Sequence, residues 1–208
     1  MENGQQTTYD AIVEVVIDLL ESDGYDGVQL RTVAKQARVS LATIYKFFPT
    51  RDELIVEALS RWMSSTVYSG MVDPAPDVSL FDALMSVYRQ LFEPWEQNPR
   101  MLEAYHRART GPGGHRLDVQ GVAVVSPIAL SVLDRADPAY AEDVGVILSH
   151  MFYAVVGRFA DGQLPITEIL PTLERTLVRL TADNADLADP GRRRGPSIRR
   201  RRQRSDVR

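Results

Sequence analysis

The sequence of 208 residues contains no cysteine. This absence excludes a disulfide-stabilised scaffold, a thiolate zinc site, an iron–sulfur cluster and a cysteine nucleophile. The three histidines show no metal-ligand spacing, so we expect no metal site and no cofactor. A chain of this length buries a sizeable hydrophobic core without such cross-links.

The sequence also lacks a leader and a long hydrophobic run. Its first four residues, Met1-Glu2-Asn3-Gly4, show neither a basic nor an apolar leader region. The longest apolar stretch covers the 13 residues 144–156, which is too short to cross a bilayer. We therefore expect a soluble, cytoplasmic protein that does not contact a membrane.

Catalytic motifs are missing too. There is no nucleotide-binding glycine loop, no zinc-protease helix motif and no serine nucleophile elbow. The paired carboxylates Asp52 and Glu53 stand at a predicted helix start, where they serve capping and the helix dipole. The sequence therefore does not favour an enzyme.

The formal net charge of −4 hides an asymmetry along the chain. Residues 190–208 hold nine arginines and one acid, whereas residues 1–189 hold 15 bases and 27 acids. An acidic body repels DNA, so any DNA binding must depend on a local basic patch. The basic C-terminal tail is predicted to be disordered, and either stays a solvated end or adds non-specific affinity for phosphates.

Hydrophobic periodicity predicts helices nearly throughout. In the N-terminal third it predicts a first helix that Thr7 or Thr8 caps and Gly24 ends, and a second of about two turns after Gln29. Ser40 is a good N-cap for a third, and Thr50 opens a fourth with a capping box. The third helix is predicted over residues 41–47.

A run rich in Asp and Pro at residues 73–77 marks a boundary, and longer helical stretches follow it. They are predicted at residues 79–97, 99–110, 116–134, 138–161 and 166–183. No segment alternates as a half-buried strand does. The predicted fold is all-α, with an N-terminal helix-turn-helix domain at residues 1–70, a second helical domain at 71–187 and a tail at 188–208.

The window 29–51 contains five basic residues and no acid, whereas the rest of residues 1–69 contains one base and ten acids. It coincides with two short predicted helices joined by a tight turn. That pattern is typical of a helix-turn-helix motif with its own basic surface. The alternative is a solvated basic face on an ordinary helical domain.

Small residues at the start of the third predicted helix suit entry into the major groove of DNA. Thr43 is placed to reach a base edge or a phosphate, and residues 41–42 to touch a thymine methyl group. Tyr45, Lys46 and Arg51 are placed for phosphate contacts. The predicted DNA-binding residues are Arg31, Thr32, Ser40, Leu41, Ala42, Thr43, Tyr45, Lys46 and Arg51.

This segment resembles the TetR family of bacterial transcriptional regulators between about Thr8 and Leu59. The match is carried by residues 30–48, which end in Thr-Ile-Tyr-Lys-Phe-Phe, and by the following Pro-Thr-Arg-Asp-Glu-Leu. The resemblance implies a recognition helix at residues 40–46 and a backbone contact from Tyr45. Arg51 stands where the family usually has a phosphate-binding lysine.

Three residues depart from the family pattern. Gln29 stands where a threonine commonly caps the second helix, Arg38 replaces the usual turn glycine, and Ala42 replaces a common glycine. The segments 24–29 and 98–108 are also similar to actinobacterial repressors of steroid and lipid catabolism.

The second predicted domain is rich in methionine and aromatic residues, a composition that fits either a core or the wall of a pocket for a hydrophobic ligand. The family resemblance implies an effector cavity between its helices. His106 and Arg109 lie three apart on one helix face, which suits an anionic head group. The predicted pocket residues are Phe81, Met85, Tyr88, Phe92, Tyr105, His106, Arg109 and His150.

The last two predicted helices carry apolar stripes, and by resemblance they form the dimer surface as a four-helix bundle. The stripe residues are Val144, Ile147, Leu148, Val155, Val156, Ile169, Leu173, Leu177 and Leu180.

The function favoured by the sequence is a homodimeric transcriptional regulator of TetR type. It is expected to bind a palindromic operator in double-stranded DNA as a repressor, and to be released by a small hydrophobic effector. The alternative is a DNA-binding helical protein without an effector, either architectural or controlled by a protein partner.

Overall fold

The structure, a computed structural model, describes residues 2–182 and residue 184. The predicted basic tail at residues 188–208 lies outside the described residues. Helices account for most of the described part, which contains no strand. They are α1 (Glu2–Gly27), α2 (Leu30–Gln36), α3 (Leu41–Phe47), α4 (Arg51–Trp62), α5 (Leu80–Gln97), α6 (Pro99–Arg109), α7 (His115–Leu133), α8 (Pro138–Ala160) and α9 (Ile169–Ala182).

The all-α prediction is confirmed, and most helix bounds agree with the predicted ones to within a residue or two. The start of α1 differs, because the helix begins at Glu2, before the predicted caps at Thr7 and Thr8. Thr8 donates its hydroxyl hydrogen to the Gly4 carbonyl at 2.9 Å inside the first turns, so it bonds within the helix instead of capping it. The preceding polar residues extend the helix by more than a turn.

Gly24 interrupts α1 as predicted, through a kink at which its φ is 72°. In this left-handed region a residue with a Cβ atom is strained, so glycine suits the position. The turn after the kink, ending at Gly27, leads into α2.

Apolar side chains close the inner side of the helix-turn-helix. Val33, Ala34, Ile44 and Phe48 are buried, and Val39 is partly buried against them. Burial of these side chains fixes α2 against α3 and both against the first and fourth helices.

A π-helical segment, Met63–Tyr68, continues directly from α4. Because this segment follows α4 directly, the helix passes without a break from the helix-turn-helix toward the C-terminal half. Met63 and Val67 in the segment are buried. The buried apolar residues of the two halves form one contiguous core, in which α6 packs against both α1 and α4.

The C-terminal half is a layered helix bundle in which α5 packs against α9 and α7, and α6 against α8. The helices α7 and α8 are long and apolar enough to cross a bilayer by length and composition alone, which is weak evidence for a membrane span. The sequence had predicted none, because short polar interruptions divide the apolar runs. Most of each helix is not buried inside the protomer.

Candidate functional site

The surface formed by α2 and α3 is exposed at the positions that the sequence assigns to DNA. Six of the nine predicted residues are exposed, and the other three, Thr32, Thr43 and Arg51, are partly buried. Tyr45 is 53% exposed and Leu41 is 36% exposed, although both are apolar in most of their atoms. Exposed side chains of this kind on a basic helix are free to contact a partner.

The first turn of α3 is fixed by its cap. The Ser40 hydroxyl accepts the Thr43 backbone N–H at 3.0 Å, and the two hydroxyl oxygens lie 2.8 Å apart. The predicted N-cap is therefore confirmed. Gln29, in contrast, makes no side-chain capping bond to α2.

The turn between α2 and α3 keeps a glycine-like geometry without a glycine. Arg38 has a φ of 55° and is the one described non-glycine residue with a positive φ. Its N–H and that of Val39 bond to carbonyls of α2, at 3.3 and 3.0 Å. The turn is therefore built as in a helix-turn-helix with glycine, at the expense of backbone strain at Arg38.

The Arg51 side chain is bonded mainly to groups of the protein itself. Its guanidinium donates to the Val28 carbonyl at 2.6 Å and to the Tyr25 carbonyl, and lies 4.6 Å from the centre of the Tyr25 ring. Asp52 is 4.0 Å from the same group. These contacts hold the start of α4 against the end of α1, a structural role that the sequence did not indicate.

Tyr9 is a further residue that sequence reasoning missed. Its ring packs on Phe47 at 5.8 Å and on Phe48 at 4.9 Å, and the Arg61 guanidinium lies 5.6 Å from its centre. Burial, with Glu57 as hydrogen-bond partner, raises the pKa of Tyr9 to about 12. Tyr9 thus joins α1 to the end of α3, and the aromatic residues Tyr9, Phe47 and Phe48 in the sequence were the available signal.

A cavity of about 370 Å³ lies in the C-terminal half. Its wall is mostly apolar and comes from α5, α7 and α8, with Met63 and Tyr68 contributed by the π-helical segment and Tyr105 by α6. The volume falls in the range of small-molecule sites in proteins. The segment that continues α4 is therefore also part of the cavity wall.

Two of the eight predicted pocket residues, Tyr88 and Tyr105, line this cavity. The others do not, namely Phe81, Met85, Phe92, His106, Arg109 and His150. On α5 the lining residues are Leu84, Val87, Tyr88, Leu91 and Trp95, which share one helical face. The sequence shows that α5 is apolar on several faces but not which of them meets a cavity.

The predicted anionic site at His106 and Arg109 is not present in this form. Arg109 makes two hydrogen bonds to the Asp118 carboxylate, both at 3.0 Å, so that its charge is already paired. The His106 ring lies near Gly157, 3.7 Å from the position of a Cβ atom there, and its Nδ1 is buried without a partner. Asp118, thirteen residues from Tyr105, is the partner that spacing did not reveal.

Several polar groups of the cavity wall lie near Asp118, and we call this part of the wall the polar end. The Tyr105 hydroxyl donates to Asp118 at 3.0 Å, and Tyr68 and Tyr153 line the same wall. Burial raises the pKa of both Tyr68 and Tyr105 far above its usual range, with the Asp118 charge as a further cause. The two hydroxyls therefore remain protonated at every physiological pH.

Trp95 stands beside this end, with its ring centre 5.5 Å from that of Tyr105. Its Nε1–H is buried and has no hydrogen-bond partner. On the other side the ring lies 4.7 Å from Trp62, whose indole donates to Glu21 of α1 at 2.8 Å. The chain's two tryptophans thus meet at the junction between the cavity and the helix-turn-helix.

A second junction joins α6 to the helix-turn-helix. Arg107 pairs with Asp26 at 2.8 Å, and its guanidinium lies 4.3 Å from the centre of the Tyr25 ring, which Arg51 also contacts. The Tyr25 hydroxyl donates to Asp52 at 3.0 Å. One tyrosine ring is therefore in contact with α6 and with the start of α4.

The apolar stripes of α8 and α9 are mainly part of the protomer core. Six of the nine predicted dimer residues are at most 3% exposed, and Leu148 is 7% exposed. Ile147 is 42% exposed, and Val146 and Val178 on the same two helices are exposed as well. Apolar periodicity identified buried positions correctly but did not separate burial within one chain from burial between two.

Because an exposed basic helix-turn-helix lies above a helical body with an internal apolar cavity, the structure defines a helix-turn-helix DNA-binding regulator. Two family models match the chain: the bacterial regulatory proteins of the tetR family over residues 12–58, and the tetracyclin repressor-like C-terminal domain over residues 78–180. The chain belongs to the TetR family of transcriptional regulators.

Among characterised relatives, the chain is 28% identical to the HTH-type transcriptional repressor KstR of Rhodococcus jostii over 186 residues, 88% of this chain and 87% of that protein. It is 32% identical over 69 residues to the HTH-type nicotine-responsive transcriptional repressor HdnoR of Paenarthrobacter nicotinovorans, 32% of this chain and 36% of that protein. A solved TetR regulator from Rhodococcus sp. RHA1 superposes with a TM-score of 0.61 at 17% identity, covering 83% of this chain and 97% of that one, and so shares the fold.

Proposed function

We propose that this protein is a homodimeric repressor that binds a palindromic operator in the cytoplasm and is released by a small hydrophobic effector. It has no catalytic role in this proposal. The observation that carries the DNA-binding part is the exposed surface of α2 and α3, which is basic and free of acid in an otherwise acidic body. The repressors KstR and HdnoR support the direction of regulation by similarity.

On DNA, we place α3 in the major groove with its capped N-terminus toward the bases. Leu41, Ala42 and Thr43 are then nearest to base edges, and Tyr45 and Lys46 nearest to phosphates. Arg31 and Thr32 at the start of α2 are positioned for the flanking backbone. Arg51 acts mainly by holding α4 in place, because its donors are already bonded to carbonyl oxygens.

The cavity supports the effector part of the proposal. It is large enough for a small molecule, and its wall is mostly apolar, so a hydrophobic ligand gains free energy by burial there.

Two connections carry a change in the cavity to the DNA-binding surface. The π-helical segment joins the cavity wall at Tyr68 to α4, and α6 joins Tyr105 in the cavity to Arg107 and the Tyr25 ring. A ligand that favours one position of these elements shifts the spacing of the two recognition helices in the dimer, and with it the affinity for half-sites at fixed spacing.

The test of DNA binding removes one charge at a time. Lys46→Ala should weaken binding to mixed-sequence double-stranded DNA. It should also make the negative slope of log affinity against log salt shallower, by about one unit for each Lys46 removed. The matched control is Arg89→Ala, which removes one exposed charge from α5. Equal slopes for Lys46→Ala and the unmodified protein would contradict the assignment of α3 to the groove.

Recognition of the DNA sequence by α3 is tested separately. Operators are selected from a random duplex pool with the unmodified protein and with Thr43→Ala. We expect the two selections to differ at positions within each half-site, because Thr43 is placed at base edges. Identical selected sequences would exclude Thr43 from base recognition.

A further inference from the structure

We propose that the effector is an uncharged lipophile with one hydroxyl or carbonyl oxygen at one end, and that this oxygen binds among Tyr105, Asp118 and Trp95. The inference depends on the proposed effector cavity and specifies the chemistry of its ligand. It replaces the anionic head group that the sequence suggested.

The body of the ligand is defined by the larger part of the wall. Leu84 and Leu91 of α5 and Ala129 and Leu133 of α7 all line the cavity, and these residues offer no hydrogen-bonding side chain. An aliphatic or alicyclic body buried there gains about 25 cal/mol for each Å² of apolar surface removed from water.

The charge balance of the polar end argues against an ion. Asp118 is the one charged residue among the described lining residues, and both of its oxygens accept hydrogen bonds from Arg109. A ligand carboxylate would meet the Asp118 charge without a free cation to pair with. A ligand ammonium would find a carboxylate whose charge is already balanced, and each ion would lose its hydration on entry.

The hydrogen-bonding groups at this end do suit a neutral oxygen. The buried Trp95 Nε1–H lacks an acceptor, and a ligand oxygen would supply one. The Tyr105 hydroxyl uses its hydrogen on Asp118, so its oxygen is left to accept from a ligand O–H. Because its raised pKa keeps this hydroxyl protonated, the arrangement does not change around neutral pH.

Two other lining hydroxyls, those of Tyr88 and Ser149, are less suited to the role. The Tyr88 hydroxyl donates to the Leu148 carbonyl at 3.2 Å, and the Ser149 hydroxyl donates to the Val146 carbonyl of its own helix at 3.0 Å. Each therefore already has an internal partner for its hydrogen.

The test uses three probes with the same ten-carbon chain and different heads: decan-1-ol, decanoate and decylammonium. Each is titrated into the full-length protein and binding is measured by calorimetry. We expect decan-1-ol to bind at least about tenfold more tightly than either ion, because neither ion finds a free counter-charge. Equal or tighter binding of decanoate or decylammonium would overturn the inference and leave the cavity as an effector site.

Failure of all three probes to bind would overturn the effector part of the proposed function as well, and would favour the DNA-binding protein without an effector. DNA binding by Lys46 and its neighbours would be unaffected by that result. The two failures are therefore distinguishable.

Variants then locate the oxygen. Tyr105→Phe and Trp95→Phe each remove one polar hydrogen-bonding group at the proposed end, and each should weaken decan-1-ol binding about fivefold, the usual effect of one hydrogen bond. The matched control is Tyr140→Phe, a buried tyrosine of α8 that is not among the described lining residues and whose hydroxyl donates to the Leu180 carbonyl at 3.1 Å; it should change affinity less than about twofold. Two polar-end variants allow the test to proceed if one of them does not fold, and an unchanged affinity in either folded variant would overturn the placement.

Discussion

At the scale of single residues, the backbone at Arg38 is the most informative strained position. A residue with a Cβ atom at a φ of 55° is less stable than glycine there, because Cβ approaches the carbonyl oxygen. The turn persists because α2 and α3 are fixed around it by buried side chains such as Val33 and Ile44.

Replacing Arg38 should separate this strain from the loss of charge. Arg38→Gly and Arg38→Ala remove the same guanidinium, but only the glycine variant relieves the backbone. We expect Arg38→Gly to have a free energy of unfolding about 1 kcal/mol above that of Arg38→Ala, measured by urea denaturation. Equal midpoints would mean that the turn is not strained in solution.

Residues with short-range partners could be predicted from the sequence, and residues with distant partners could not. Ser40 and Thr50 cap the helices that follow them, because the bond that they accept comes from three residues along the chain. Arg51 bonds to carbonyls 23 and 26 residues away, and no local pattern indicates such partners. The family resemblance predicted that Arg51 contacts a DNA phosphate, whereas in the structure its side chain donates to carbonyl groups of the protein.

At the scale of helices, α6 is the element that joins the two halves. Its Tyr105 lines the cavity, and its Arg107 contacts Asp26 and the Tyr25 ring at the end of α1. Arg107 and Asp26 are 55% and 80% exposed, so their ion pair adds little to stability. Its effect should appear instead in the coupling between the two sites.

We therefore expect Arg107→Ala to reduce the ratio of DNA dissociation constants measured with and without saturating decan-1-ol, by about threefold or more. The melting temperature should hardly change. Arg175→Ala is the control, since it removes an equally exposed ion pair, to Glu168 at 3.6 Å, without touching α6. An unchanged ratio in Arg107→Ala would remove this contact from the coupling route.

Helix positions along the chain were predictable because each begins or ends at a strong signal, such as Asn98-Pro99 before α6 or Asp137-Pro138 before α8. The orientation of α5 was not. Its apolar residues occupy several faces, so periodicity predicts burial without showing that Leu84 faces the cavity and Met85 does not. The packing of α5 against α9 and α7 decides which face of α5 meets the cavity.

At the scale of the whole molecule, we propose that the exposed apolar residues of α8 and α9 form the face that meets a second protomer. In a four-helix bundle of two such hairpins, Val146, Ile147 and Val178 would be covered. Leu177, which the stripe pattern included, is fully buried within the protomer, and a charge there would unfold the chain rather than split the dimer.

Ile147→Glu should therefore leave the protomer folded and raise the dimer dissociation constant by about 100-fold or more, because two unpaired charges would be buried at the interface. Sedimentation velocity at several concentrations measures this. The control is Val72→Glu, which places the same charge at an exposed apolar residue in the loop before α5. A dimer of unchanged affinity in Ile147→Glu would move the interface away from this part of α8.

The apolar surface of α7 and α8 has a consequence for the life of the polypeptide in the cell. Residues 119–133 contain no charged side chain, and Val119 of α7 and Val146 and Ile147 of α8 are exposed in the protomer. A newly synthesised protomer presents this surface to chaperones, proteases and other nascent chains until a partner arrives. In the proposed dimer, where a second copy covers this surface, survival of the gene product would depend on how quickly two copies meet, and its abundance would then respond more than linearly to its rate of synthesis.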